Sequence, residues 1–521
     1  MKITHPYYPI IYIRGFAATM SEIEATVATP YMGFNLGSTK LRQDYKGKIM
    51  RHIFESPLIR LMKDEGYVDT YQGGDFFPET QVVSPKSVWV YRYYEPMSEQ
   101  LGSGERNDIP TAAIGLREFI LRIKRQVCGN DIDAQNQFKV YLVAHSMGGL
   151  VARCYLQNIC VNGSGDVAKD QVLGLPGNSL VDKVFTYGTP HNGIETLGVN
   201  VPNLGALDPL YAKNFNRKVM RGYLALPDDN REEVNYLNSS FPVDRFFCFV
   251  GTNSSDYSEF FNLSKHAAGV MSDGLVMIKN ASIEGAPRAF AHRSHSGQFG
   301  MVNSEEGYQN LRRFLFGQVR VDVKLLVEEI TLPRPVQKAK DEGKQIRGSY
   351  NIETRAGVRN ANYYLHERSV SQNSAVLRSY DSMVKDNKPV YLFTGFLMKK
   401  AKASTATDSA LAFAIRIGIQ VPLYEVDNAF WFDEHFEGGY LFDDTITIHL
   451  RLSKDVTSVS YGLASISGLG QAGKRLDAMP LGADGAEEYL IPLGFKKGAT
   501  NPPKPGFRGT LQIIARPWNS Q

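Results

Sequence analysis

Read from its pattern alone, the chain predicts two structural classes in series: a mostly parallel α/β domain over residues 1–317 and an all-β, sandwich-like domain over 320–521. Three observations carry this. In the first part, apolar strand-like runs alternate with helical stripes, the pattern of a parallel sheet covered on both faces. Within it, Phe138–Val143 runs into Ala144-His145-Ser146-Met147-Gly148-Gly149 and then Leu150, Val151, Cys154 and Tyr155, a strand, small-residue turn and helix in succession. After residue 317 the apolar spacing changes to period two.

The elements follow in order. Strand candidates are Ile10–Ile13, Val88–Tyr93, Val140–Val143, Lys183–Tyr187 and Phe246–Val250. Between the second and third, Ala112–Val127 carries Ile114, Phe119, Ile120, Ile123 and Val127 on a helical stripe. Glu305–Phe316 is a last helix with Leu311, Phe314 and Leu315 inward, ending at Gly317. Beyond it, Val319–Leu325 alternates, as does Leu411–Val421, whose odd positions are all large and apolar. Ile446, Ile448, Leu450 and Leu452 repeat the device, and Leu511–Ala515 closes it. Lys338–Lys344 and Lys496–Pro505 read as polar loops.

Composition narrows the function classes. The chain has 521 residues and a net charge of +4, with basic residues not run together, which excludes a nucleic-acid footprint. Its four cysteines show no C-x-x-C spacing, so neither a zinc site nor a disulfide framework is expected. No run approaches the roughly 18 apolar residues of a membrane helix. Met1–Pro6 lacks an apolar leader, so the expected location is cytoplasmic, with leaderless export as the alternative.

Ser146 stands at a turn where small neighbours are needed, because bulky side chains would collide with nearby backbone. Such a turn lifts a serine hydroxyl above the sheet and aims the first N–H groups of the helix at whatever it attacks. A serine nucleophile needs a base, and the base an orienting carboxylate. Asp273 lies in the exposed turn Ser272-Asp273-Gly274 after a late strand, and His295 opens a small-residue loop before the last helix. Asp256 lies nearer the strand end but lacks the Asp-Gly-apolar turn. His292 competes with His295 but lies at the end of the Ala286–Ala291 stretch. The expected oxyanion donors are the backbone N–H groups of Met147, directly after the serine, and Phe16, after Gly15 in the loop that follows Ile10–Ile13.

These segments, Tyr12-Ile13-Arg14-Gly15-Phe16, Ala144–Gly149, Tyr187-Gly188-Thr189-Pro190-His191-Asn192-Gly193, Ser272–Gly274 and His295-Ser296-Gly297, together resemble the landmarks of bacterial lipases and carboxylesterases of the α/β-hydrolase fold. The resemblance covers about the first 317 residues; the C-terminal half resembles no family we can name. It implies an α/β-hydrolase fold and carboxylic-ester hydrolysis through Ser146, His295 and Asp273, with no metal or organic cofactor. An ester or lipid small molecule is the implied substrate, with peripheral contact at a lipid interface. Acyltransferases share the landmarks, and a silent hydrolase-fold binding protein is the rival from a different class.

The first oxyanion segment departs from the family's His-Gly-Phe by carrying Arg14. Arg14 and His145 are therefore candidate substrate-binding residues: Arg14 could pair with a substrate carboxylate or phosphate. Against this stand the ordinary settings, an arginine held by a carbonyl or acid of the protein and a packed structural histidine beside the nucleophile. Thr189-Pro190-His191 is expected to shape a pocket wall without doing chemistry. Insertions at 31–74 and 193–229, rich in apolar and aromatic residues, are candidate lids. Gly468–Gly473 matches G-x-G-x-x-G without the βαβ setting of a dinucleotide site, and Asp131, Asp133, Asp443 and Asp444 are too sparse for a calcium loop.

Overall fold

The computed structural model describes residues 3–15, 17, 20–44, 46–72, 75–76, 81–105, 107–162, 180–196, 199–200, 212–255, 270–358, 361–384, 388–401, 410–420, 424–426, 429–431, 439–452, 457–482 and 484–519. Two compact units emerge. The first runs to Arg288 and resumes over Arg293–Phe316, and the second takes Ala289–His292 and the chain from Gly317 onward.

The first unit is built on six strands of a seven-stranded sheet. Its strands are β1 (Ile10–Ile13), β2 (Val68–Asp69), β3 (Ser87–Tyr91), β4 (Val140–His145), β5 (Val181–Tyr187), β6 (Phe246–Gly251) and β7 (Arg288–Ala291), in the spatial order β7-β6-β5-β4-β1-β3-β2. Pairings from β2 through β6 are parallel. Every residue of β1, β3, β4 and β6 is buried, which is why these strands read as unbroken apolar runs rather than alternating ones. Helices α1 (Met20–Val27), α2 (Ile109–Cys128), α3 (Met147–Cys154) and α4 (Glu305–Phe316) fill the connections. Asp108 caps α2 by accepting from the Thr111 N–H at 2.8 Å, and Pro110 sits in its first turn. Leu311, Phe314 and Leu315 of α4 are fully buried, as the stripe required. This strand order, with its helical crossovers, is the α/β-hydrolase fold.

In the second unit, antiparallel strands form a five-stranded and a nine-stranded sheet among the described residues. β8 (Val319–Thr331) is flanked by β10 (Val390–Leu397) and β15 (Gly506–Pro517), with β14 (Ala486–Gly494) beyond β15. The other sheet is built around β9 (Ile346–Val358), β11 (Ala410–Gln420), β12 (Tyr440–Leu452) and β13 (Thr457–Leu463). Inward residues of both sheets, among them Leu325, Leu511, Ile352, Ile417 and Ile446, share one core, so the sheets face each other as a sandwich. The odd positions of β11 do point inward, with Ile417 and Ile419 fully buried; Val421 lies outside the described residues.

One expectation fails here. Lys338–Asp341 belongs to a helix, α5 (Arg334–Asp341), and not to a loop. Pro335 starts it and Val336 is its buried anchor. With one buried apolar residue there is no stripe to read in the sequence.

Candidate active site

β4 delivers Ser146 to the turn at its C-terminal end, where φ is +52° and ψ −125°. A non-glycine residue rarely holds that conformation, which costs on the order of 1–3 kcal/mol and persists only where the surroundings over-determine it. The surroundings do so. The Ser146 N–H donates to the Tyr187 carbonyl at 2.9 Å, and its own carbonyl accepts from Thr189 Oγ at 2.8 Å and the Gly149 N–H at 3.0 Å. Backbone packs directly on the turn: a Cβ on Gly148 would lie 2.5 Å from the Ile13 carbonyl oxygen, and one on Gly15 2.6 Å from the Ser146 Cβ. Gly148 is thus required by close approach of β1 and its following loop, and Gly149 by the Thr189 side chain.

Asp273 and His295 reach this serine from two other loops. The Ser146 hydroxyl lies 2.9 Å from His295 Nε2, and His295 Nδ1 lies 2.8 Å from Asp273 Oδ2. All three are buried, at 3%, 2% and 1% exposure respectively. The second carboxylate oxygen of Asp273 accepts from the N–H groups of Leu275 at 3.1 Å and Val276 at 2.8 Å, so the Asp-Gly-apolar turn orients its own acid. The Asp273 carbonyl also accepts the His295 N–H at 2.8 Å, fixing the two loops to each other. In this geometry Nδ1–H donates to the carboxylate and Nε2 is left free to accept the serine proton.

Met147 opens α3, directly after Ser146, where a helix's first N–H groups lack the usual partner four residues back. Phe16, the second expected oxyanion donor, lies outside the described residues, as does Asp256. His292 follows β7 directly, and the ring brought to the serine is that of His295.

Arg14 and His145 both line the cleft over Ser146, and each is held by the protein. Arg14 Nη1 donates to the Met32 carbonyl at 2.5 Å and packs against Gly33, whose φ is +84°. His145 Nε2 lies 3.0 Å from the His295 carbonyl, which can only accept, so this nitrogen carries the proton. Burial, then the neighbouring His295 and Arg14, hold the His145 pKa well below 6.5 and keep the ring neutral.

The cleft has a volume of about 650 Å³. Its walls carry Ala25, Met32, Phe34, Leu36, Leu275 and Val302 around the polar group of Ser146 and His295. Met32–Leu36 belong to the first insertion, and residues 193–229 contribute no described part of the wall; 45, 73–74, 197–198 and 201–211 lie outside the described residues.

Two supports were not legible in the sequence. Thr189, read only as pocket wall, bonds the carbonyl of the nucleophile's own residue. Arg293 anchors the histidine loop: its Nε lies 3.0 Å from Glu306 and its Nη1 2.9 Å from the Thr39 carbonyl. Burial pushes the Glu306 carboxyl up, but Arg293 and Lys40 outweigh this and hold it below its ordinary value. A lone Arg and Glu thirteen positions apart give no signal before folding.

Fold and site together define a class: an α/β-hydrolase fold presenting a serine, a histidine and an aspartate in hydrogen-bond contact. No protein-family model matches the chain, and no curated protein matches its sequence. Among solved structures, it is similar to the mature form of the lipase BlEst2 from Bacillus licheniformis, at 14% identity over 60% of this chain and 92% of that one, with a TM-score of 0.29. The propeptide form of the same lipase aligns with 87% of this chain and 96% of its own, at 10% identity and a TM-score of 0.29. Phospholipase PlaB from Legionella pneumophila, solved with thio-NAD, aligns with 82% and 90% at 10% identity and a TM-score of 0.29. These superpositions are loose, and the fold assignment rests on the strand order given above. Among the described residues no helix is long and apolar enough to cross a membrane.

Proposed function

We propose that the protein is a serine hydrolase of carboxylic esters acting on a lipid or other small ester. The observation that supports this best is the continuous line from Asp273 Oδ2 through His295 to Ser146 Oγ, with contacts of 2.8 and 2.9 Å. On this reading Ser146 Oγ attacks the ester carbonyl while its proton passes to His295 Nε2. Asp273 holds the imidazole in the right tautomer and stabilises the imidazolium. The Met147 and Phe16 N–H groups take the charge that develops on the carbonyl oxygen. As the C–O bond breaks, His295 returns the proton to the leaving alcohol. Water then enters, and its oxygen attacks the acyl carbon as its proton passes to His295 Nε2. As the bond to Ser146 Oγ breaks, His295 returns that proton to the serine and the acid is released.

The apolar cleft walls favour an ester with a hydrocarbon acyl chain over a small polar one. The test is hydrolysis of p-nitrophenyl esters from acetate to palmitate, with and without a lipid interface, by the native chain and Ser146→Ala. Turnover by the native protein and its loss in the variant support the reading. Equal turnover by both, or none by a folded native protein on any ester, overturns it.

A further inference from the structure

The β sandwich of the second unit is closed at one end and hollow at the other, and the change can be followed along single strands. On β11, Ile417 and Ile419 are fully buried in the core, whereas Ile415 and Phe413 line a cavity. On β12, Ile446 is packed, and Ile448 and Leu450 line the same space. β8 repeats the pattern from the facing sheet: Leu325 is packed, and Val323, Val321 and Val319 line the cavity in turn. Its volume is about 390 Å³. Voids larger than a water molecule are few in a packed protein, because their lining loses dispersion contacts. The hollow exists because small residues stand where large ones would fill it: Ala356 on β9, Gly395 on β10 and Ala515 on β15.

The lining is aliphatic and aromatic in depth, and its charged groups are gathered where the strands end. Lys399 is exposed there, and its backbone N–H donates to Gln318 Oε1 at 2.8 Å. Arg516, also of the lining, is turned to Asp322 at 2.8 Å. Glu487, the acidic residue of the described lining, takes the Tyr489 hydroxyl. A deep apolar slot with an exposed ammonium at its rim has the chemistry of a site for a single hydrocarbon chain ending in an anion.

We propose that this cavity binds one free long-chain fatty acid, with the chain between the two sheets and the carboxylate at Lys399. All of its described lining belongs to the second unit, so the site stands whether or not Ser146 hydrolyses esters. Bulky residues at Val321 or Ala515 would occupy the space taken by the chain, and reversing the charge at Lys399 would act only on the head group.

The experiment is calorimetric titration of the full-length, delipidated chain with saturated carboxylates. One saturable site is expected, with affinity rising about fourfold for each added methylene while the chain lengthens within the slot. Val321→Trp and Ala515→Phe should weaken binding at least tenfold. Lys399→Glu should weaken dodecanoate severalfold and leave dodecanol unchanged. A diazirine-bearing palmitate should cross-link the native chain within β8, β11 or β12, a readout that needs no variant to fold. Absence of saturable binding, or adducts confined to the Met32–Leu36 and Leu275–Val302 walls of the other cleft, would overturn the proposal. So would Val321-dependent sedimentation with phosphatidylcholine vesicles without binding of free palmitate, which would assign the slot to a membrane acyl chain.

Discussion

His145 Nε2–H donates to the backbone carbonyl of His295 at 3.0 Å, joining the residue before the nucleophile to the residue that faces it from a loop 150 positions later. The two rings are 4.9 Å apart, tilted by 43°. Because burial keeps His145 neutral, it places the second histidine without adding a positive charge beside an imidazolium. This makes His145 a positioning residue. His145→Leu should lower kcat by roughly ten- to a hundred-fold with KM little changed, the size expected when a reacting group is slightly misplaced. His145→Gln, which retains an N–H donor, should recover much of the loss. Steady-state kinetics on one ester separate this from a purely structural role, in which both variants would lose stability and keep kcat.

Asp273→Asn retains the size of the side chain but removes the charge that selects the His295 tautomer. A loss in kcat on the order of ten-thousand-fold is expected, with the melting temperature little changed. His292→Ala should retain most activity, because the ring at 2.9 Å from Ser146 is that of His295. The paired kinetics of His292→Ala and His295→Ala check the assignment directly.

Much of this site was legible beforehand, and for a physical reason. A serine at +52° in φ needs small neighbours on a strand-to-helix turn, and that demand is written locally in Ala144–Gly149. The Asp273 turn is equally local, since the backbone N–H groups two and three residues on orient its carboxylate. The buried sheet showed itself through unbroken apolar runs, although two-residue β2 was too short to produce one. Contacts between distant segments were silent: Thr189 to the Ser146 carbonyl, Arg14 to Met32, and Arg293 to Glu306 and Thr39. None leaves a periodicity or a motif.

Arg153 is one such silent residue. It is fully buried on α3 and donates to Gln157 Oε1 and to the carbonyls of His191, Val234 and Tyr236, at 2.7–2.9 Å. Burial pulls its pKa down to about 10, still far above neutrality. Arg153→Met should strand these acceptors without water and destabilise the first unit by on the order of 3 kcal/mol or more. Chemical denaturation of the full chain measures this; a change below about 1 kcal/mol would mean that the acceptors find other donors.

Stability should fall on acidification. His145 and His191 in the first unit and His366 in the second are each held neutral by burial, with pKa values well below 6.5. Below pH 6.5 the unfolded chain takes up protons that the folded chain refuses. The stability present above that pH is therefore lost as the pH falls toward the folded values, by roughly 1 kcal/mol per histidine at pH 5.5. Melting temperatures between pH 7.5 and 5.5 should show this decline, and His191→Gln and His366→Gln should each make it shallower.

The central claim is that Ser146 is the nucleophile. An alkyl fluorophosphonate added to the native chain, followed by digestion and mass spectrometry of the peptides, tests it most directly. One phosphonyl group per chain on the peptide bearing Ser146, and none on Ser146→Ala or on His295→Ala, is the predicted result. A folded chain that remains unlabelled, or an adduct on a different serine, would contradict the account.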